Sequence, residues 1–502
     1  MSSPAMSFDA RIDKRESWAL VCILVIGTVV RLAALTQPIR YDEAVTWVLF
    51  TRHSWATILG TYPNPNNHVL YSLLAKATSA LAPAQPWALR LPAFLAGLGI
   101  LPLTWAVGRR LADRATALLG TALAAGSTSL VLYSVNARGH TIVCVVALAL
   151  VLVADELRRG APWPLWLAFS ILGALGLYTV PVAIYPLGAV ALWIALDVIV
   201  RARTDLRAIV RDLAPLAAAT LGVVALAGIL YAPILVSSGL GALTSNKLAA
   251  PLTLAHFARL LPPFTWELVL TWTAPFPWWC APVLFALALW GLRGDAVERP
   301  RRVPLSLAAI AWCVGVLCIT HRTPFVRFWL SMLPLFLLAA GRGLVHWSRS
   351  WRRRIPSLGR IDAPIGAVLL AVLNGAVALS TRSAEVSDDT GTFRPARAVT
   401  ALIGDSLRPG DRVLAIIPLN APLLYYLGVR GIPVGYLDTP DSLTKRRFVV
   451  LDPTRGQTFE WAVRVGLLDP ARDETPRLVG RPEGAEVWVA EQRATKQRAA
   501  ER

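Results

Sequence analysis

Long apolar runs separated by short arginine-rich connectors constrain this chain more than any other feature of its sequence. Eleven such runs fall at about 17–37, 87–109, 113–135, 139–157, 162–178, 180–200, 213–236, 276–293, 303–320, 325–345 and 364–381. Each reaches the length, roughly 17–25 residues, that a helix needs to cross a bilayer. Backbone in hydrocarbon must satisfy its own hydrogen bonds, so the runs are expected to be helical. A positive mean hydropathy and a 55% apolar composition agree with a polytopic membrane protein. The formal charge of +19 does not argue for nucleic acid, because the basic residues lie between apolar runs and not on one soluble face.

Charge also orients the chain. With eleven spans and a cytoplasmic N-terminus, the cytoplasmic connectors hold 22 Lys and Arg residues and the outer loops nine. The segment Val69 to Ala82 is apolar, but it has only 14 residues and carries Lys76, so an interfacial helix is expected there. Counting it as a span would turn the arginine-dense connectors outward, against the positive-inside bias. Lys14, Arg15 and the run Trp18 to Val30 resemble a signal peptide. The run nevertheless continues through Arg31 to Thr36 at span length, and Arg31 is expected to snorkel near the outer end. The five cysteines all lie in apolar runs, and their spacing suggests neither disulfides nor metal ligation.

Two regions depart from this pattern. Residues 237–275 read as an outer loop rich in Trp and Pro, either an interfacial aromatic belt or a flap over a lipid-linked ligand. From 383 the composition becomes that of a soluble domain, whereas 1–382 form the membrane module. Helix-like 395–407, a turn at Arg408 to Asp411, strand-like Val413 to Ile417, helix-like 421–428 and a strand at Phe448 to Leu451 suggest a small α/β domain, placed outside by the odd span count. It carries no phosphate-binding or dinucleotide fingerprint.

The stretch richest in chemistry joins the first two spans. It reads P-I-R-Y-D-E-A-V-T-W from Pro38 and Y-P-N-P-N-N-H-V-L-Y from Tyr62. Asp42 and Glu43 lie barely a turn beyond the first apolar run, where ionisable groups usually carry function. The alternative is that they open or cap a juxtamembrane helix. On the same expected face lie Asn66, Asn67, His68, Asn136, Arg138, His140, His321, Arg322 and Arg327, so that two carboxylates face several cations. For Arg138 the alternative is snorkelling; for His68 and His140 it is a structural hydrogen bond; for Asn66 and Asn67 it is turn formation.

The D-E pair after the first span, the loop ending N-N-H-V-L-Y, R-L-P-A at Arg90 to Ala93, S-V-N-A-R-G-H at Ser134 to His140 and R-F-W-L-S-M-L-P at Arg327 to Pro334 occur in that order. Together, over residues 17–345, they resemble the GT-C glycosyltransferases, and more narrowly the bacterial branch related to protein O-mannosyltransferases and lipid A aminoarabinose transferases. The chain differs from the latter at Asn136, often acidic there, and at His140, often tyrosine.

The resemblance implies an all-α GT-C module in the bacterial plasma membrane, with an extracytoplasmic C-terminal domain. It also implies transfer of a sugar from a polyprenyl-phosphate carrier to an acceptor hydroxyl on a glycan, lipid or protein. Asp42 would be the catalytic base, with Glu43 beside it, since an attacking alcohol must lose a proton. Arg138 and Arg327 would grip the donor phosphate, whose charge develops as it leaves. Asn67, His68, Tyr71 and His140 would bind substrate, and a single displacement would invert the anomeric centre. No metal and no cofactor beyond the lipid-linked donor is expected. Two competing readings are a transporter or flippase for a lipid-linked sugar and a non-catalytic envelope assembly protein. Inverted repeats would favour the transporter, and none is visible.

Overall fold

A computed structural model describes residues 13–63, 67–83, 85–203, 205–244, 251–298, 303–323, 325–354, 362–437, 444–469 and 473–491. The chain divides into two compact units. The first comprises residues 1–35, 55–75 and 90–385, and the second comprises residues 36–54, 76–89 and 386–502. The D-E stretch therefore belongs with the C-terminal region, although nearly 350 residues of sequence lie between them.

The first unit is helical. Among the described residues, seven helices are long and apolar enough to cross a membrane, from Lys14–Leu35 to Ala363–Ser380. Two bent pairs add to these, Arg114–Gly126 with Thr128–Ser134 at 61° and Leu254–Thr273 with Trp278–Arg293 at 105°. Two shorter apolar helices, Pro164–Thr179 and Leu305–Thr320, complete the set. Apart from Leu254–Thr273, these elements fall on the eleven expected runs. The segment taken as interfacial is an 11-residue helix, Val69–Ser79.

Two expectations are corrected. The loop expected at 237–275 contains a 20-residue helix, Leu254–Thr273. Its apolar face is interrupted in sequence by Pro262 and Pro263, which ordinarily argue against a helix interior. Arg31 does not snorkel; it is fully buried. The break at Ser127 leaves the last carbonyls of Arg114–Gly126 without intrahelical partners. Arg31 donates to the carbonyls of Ala125 (2.8 Å) and Gly27 (2.9 Å), and from Nε to Ser134 Oγ (3.1 Å). Asn374 Nδ2 donates to the carbonyls of Leu123 (2.7 Å) and Ala122 (3.2 Å). Two polar side chains from distant helices thus supply donors to carbonyls at the break.

Close backbone approach joins two other helices of this unit. A Cβ on Gly291 would lie 2.1 Å from the Ala339 carbonyl oxygen, and one on Gly343 would lie 2.0 Å from that of Leu287. Small residues permit such contacts, which lipid-embedded helices use in place of a hydrophobic driving force. Many connector arginines are paired. Arg109 and Arg114 meet buried Glu16 at 3.1 and 3.5 Å, Arg110 meets Asp155 at 2.6 Å, and Arg158 meets Asp197 at 2.5 Å.

The second unit is built on four strands, β1 (Asp411–Leu414), β2 (Arg446–Leu451), β3 (Arg477–Gly480) and β4 (Glu486–Glu491), in the order β1-β2-β4-β3. β1 and β2 are parallel, joined through helix Asn420–Val429; the other pairings are antiparallel. Alternation along β2 feeds two cores, Phe448 and Val450 into one, Val449 and Leu451 into the other. β1 begins two residues earlier than expected, because Asp411 opposite Arg446 accepts hydrogen bonds from it at 2.9 and 2.6 Å. It ends before Pro418, which cannot continue a ladder. The hairpin of β3 and β4 is absent from the sequence expectation.

Candidate active site

In the first unit, the polar residues of two separate motifs meet. Segment 135–139 turns between helices Thr128–Ser134 and His140–Leu157, and His68 immediately precedes helix Val69–Ser79. The Gly139 N–H donates to His68 Nδ1 at 3.0 Å, while Arg138 Nη2 lies 2.9 Å from His68 Nε2. All three residues are buried. A Cβ on Gly139 would sit 2.5 Å from Thr179 Cγ2 and 3.4 Å from both His68 Nδ1 and Tyr71 Cβ, so glycine permits this approach. The His68 ring lies edge-on to His140 at 5.1 Å, and His140 in turn lies edge-on to Tyr133 at 4.9 Å. His140 Nε2 has no hydrogen-bond partner among the described residues.

The electrostatics of this cluster are one-sided. Burial holds the His68 ring well below its ordinary pKa, and the charges of Arg138, His140 and Arg327 push in the same direction. A neutral imidazole has one N–H and one acceptor, yet both of its neighbours here are donors. A neutral ring can therefore accept from only one of the two, the Gly139 amide at Nδ1 or the Arg138 guanidinium at Nε2. Two N–H donors, the Gly139 amide and the Arg138 guanidinium, thus converge on one ring. Arg327 is half-buried on the 3₁₀ helix Val326–Met332, over the Phe325 ring at 4.4 Å, within electrostatic reach of His68.

The carboxylates lie in the second unit, on the short helix Tyr41–Thr46. Glu43 is fully buried and its Oε2 accepts from the Arg40 N–H at 2.9 Å, closing the helix start. Asp42 is 7% exposed; its own N–H donates to the Thr390 carbonyl at 3.3 Å, and Thr46 Oγ1 donates to its carbonyl at 3.0 Å. The π-helical turn Trp47–Thr51 follows, and Lys76 Nζ caps its end through the carbonyls of Thr51 (3.1 Å) and His53 (2.5 Å).

No protein-family description matches the chain, and no curated protein matches it. Solved structures do. ArnT from Cupriavidus metallidurans in the apo state matches over 95% of this chain and 98% of its own, at 14% identity and a TM-score of 0.62. ArnT from the same organism bound to undecaprenyl phosphate matches over 94% and 98%, at 14% identity and a TM-score of 0.57. The chain has the GT-C fold. A match at a TM-score of 0.49 and 12% identity, over 89% of this chain and 69% of the other, is the oligosaccharyltransferase of Archaeoglobus fulgidus in complex with Zn and sulfate.

Within this GT-C chain, Arg138, His68, His140 and Tyr71 come together and Arg327 reaches them electrostatically. Asn67 is occupied with local structure. Its amide donates to the carbonyls of Thr61 (2.9 Å) and Ile58 (3.3 Å), and its Oδ1 accepts from Ser72 Oγ (3.0 Å). Asn66 lies outside the described residues. His321 ends helix Leu305–Thr320 in the left-handed conformation, and its carbonyl accepts from the Leu252 N–H at 2.9 Å. The sequence reading does not single out Tyr62. It is buried, and its phenol is pushed up to about 12 by burial, opposed by the nearby Arg138 charge. Its place at the head of the Y-P-N-P-N-N-H stretch was the available signal.

Proposed function

We propose that this chain is an integral membrane glycosyltransferase of the bacterial plasma membrane, moving a sugar from a polyprenyl-phosphate carrier to an acceptor hydroxyl on the extracytoplasmic face. The observation that carries this reading is the convergence of Arg138 and the Gly139 amide on His68, with Arg327 in electrostatic reach, in a chain of GT-C fold. Supporting it, ArnT of the same fold has been crystallised with undecaprenyl phosphate.

In this scheme Asp42 takes the acceptor proton as the new O–C1 bond forms and the C1–O bond to phosphate breaks. The carrier leaves as a phosphate anion, received by Arg138 and Arg327, with His68 held neutral beside them. One displacement inverts the anomeric centre. Tyr62, Tyr71 and His140 line the sugar and phosphate; Glu43 and Asn67 hold backbone. The scheme assigns no step to a metal or cofactor, so chelating agents are expected to leave the rate unchanged.

The test uses the full-length protein in lipid nanodiscs, a panel of undecaprenyl-phosphate-linked hexoses and pentoses, and lipid, glycan and peptide acceptors. Transfer from at least one donor is expected, and binding of undecaprenyl phosphate itself should weaken by about tenfold or more in Arg138→Gln. Tight carrier binding that is indifferent to Arg138, or carrier translocation without transfer, would favour the transporter reading instead.

A further inference from the structure

Within the second unit, the C-terminal region does more than accompany the D-E helix. It fixes the helix start through a continuous set of contacts. The first-turn N–H groups of Tyr41 and Asp42 donate to the carbonyls of Gly391 (3.0 Å) and Thr390 (3.3 Å). The Arg40 guanidinium reaches the same segment, donating from Nε to Thr390 Oγ1 at 2.6 Å, from Nη1 to Gln37 Oε1 at 3.2 Å, and from Nη2 to the Ser387 carbonyl. Arg40 and Thr390 are both buried. Gly391 has φ +68°, and a Cβ there would lie 2.8 Å from the Cβ atoms of both Tyr41 and Pro418. Segment 387–392 is itself clamped from the sheet side. Arg455, which follows β2, donates to both Asp388 oxygens (2.9 and 2.5 Å) and to the Thr392 carbonyl (3.1 Å). Beyond the helix, the Trp47 ring lies edge-on to Tyr425 at 5.1 Å, and the Ile39 N–H donates to the Tyr426 hydroxyl at 3.3 Å.

Groups that orient a reacting side chain act through distances of tenths of an ångström, and a base displaced by about 1 Å can cost about a hundredfold in rate. We propose that Thr390 and Gly391, with Arg40 as their counterpart, are positioning residues that set the place of Asp42, which makes the C-terminal region an obligate part of the catalytic apparatus. This rests on the reading of Asp42 as the base. None of the three touches substrate in this account; they act through the backbone of residues 40–42.

Three variants separate the contact from general damage. Thr390→Val keeps the shape and removes the hydroxyl that accepts from Arg40, Thr390→Ser keeps the hydroxyl, and Gly391→Ala drives a methyl group against Tyr41. In the full-length protein in nanodiscs, amide hydrogen exchange of the peptide covering residues 40–46 is measured beside kcat and KM on the same donor panel, with Asp42→Asn as reference. Thr390→Val and Gly391→Ala are expected to raise exchange in that peptide and lower kcat by about tenfold or more, with KM for the donor within about twofold. Thr390→Ser is expected to restore both readouts. Unchanged exchange in Thr390→Val, or raised exchange with unchanged kcat, overturns the positioning role. Full activity in Asp42→Asn overturns the base reading on which it rests, and the exchange data still report whether segment 387–391 holds the helix. If Gly391→Ala does not fold, the Val and Ser pair at 390 decides alone.

Discussion

Two arginines of the helical unit, both buried, do opposite things. Arg31 spends its donors on carbonyls and a hydroxyl within the protein, so its charge is spread over fixed dipoles. Replacing it with Met leaves the Ala125 carbonyl without its donor and is expected to cost about 3 kcal/mol, read as a lower unfolding midpoint in detergent. An unchanged midpoint would mean that water or another donor fills the break. Arg138 instead points a donor at His68, a ring already engaged by the Gly139 amide. The depressed His68 pKa has a definite sign. The folded ring stays neutral while the unfolded chain takes up a proton below about pH 6.5. Stability from this term is therefore complete above that pH and is lost as the pH falls toward the folded value. His68→Gln is expected to flatten the acid side of a stability–pH profile, and superimposable profiles would contradict the assignment.

At the scale of elements, packing decides what composition leaves open. The eleven apolar runs were legible because a membrane span imposes its own length and hydropathy on the sequence. Helix Leu254–Thr273 was not, since Pro262, Pro263 and its polar residues read as loop. The role of Arg31 was hidden for another reason: it depends on a break near residue 127 and on Asn374, neither visible from the neighbourhood of position 31. The four-residue strand β3 was too short to announce a hairpin with β4. The association of the D-E stretch with residues 386–502 is a tertiary fact without local signal. Where backbone meets backbone at Gly343, a side chain has nowhere to go. Gly343→Ala is expected to destabilise by about 1–3 kcal/mol, which a thermal shift measures; no shift would mean that the two helices separate readily.

For the molecule as a whole, the proposed orientation rests on the positive-inside bias of its arginines. The account places the N-terminus and the arginine-dense connectors inside and residues 386–502 outside. In a cysteine-free background, a membrane-impermeant maleimide applied to intact spheroplasts is expected to label Ser406→Cys and to spare Arg207→Cys. The reverse pattern would invert the molecule and remove the extracytoplasmic reaction. The central claim, that a carboxylate at position 42 deprotonates the acceptor while a carrier phosphate departs, meets its most direct test in the rate of sugar transfer from an undecaprenyl-phosphate-linked donor by Asp42→Asn. The account predicts a fall of about a hundredfold or more, with carrier binding retained. Transfer at the wild-type rate would contradict it.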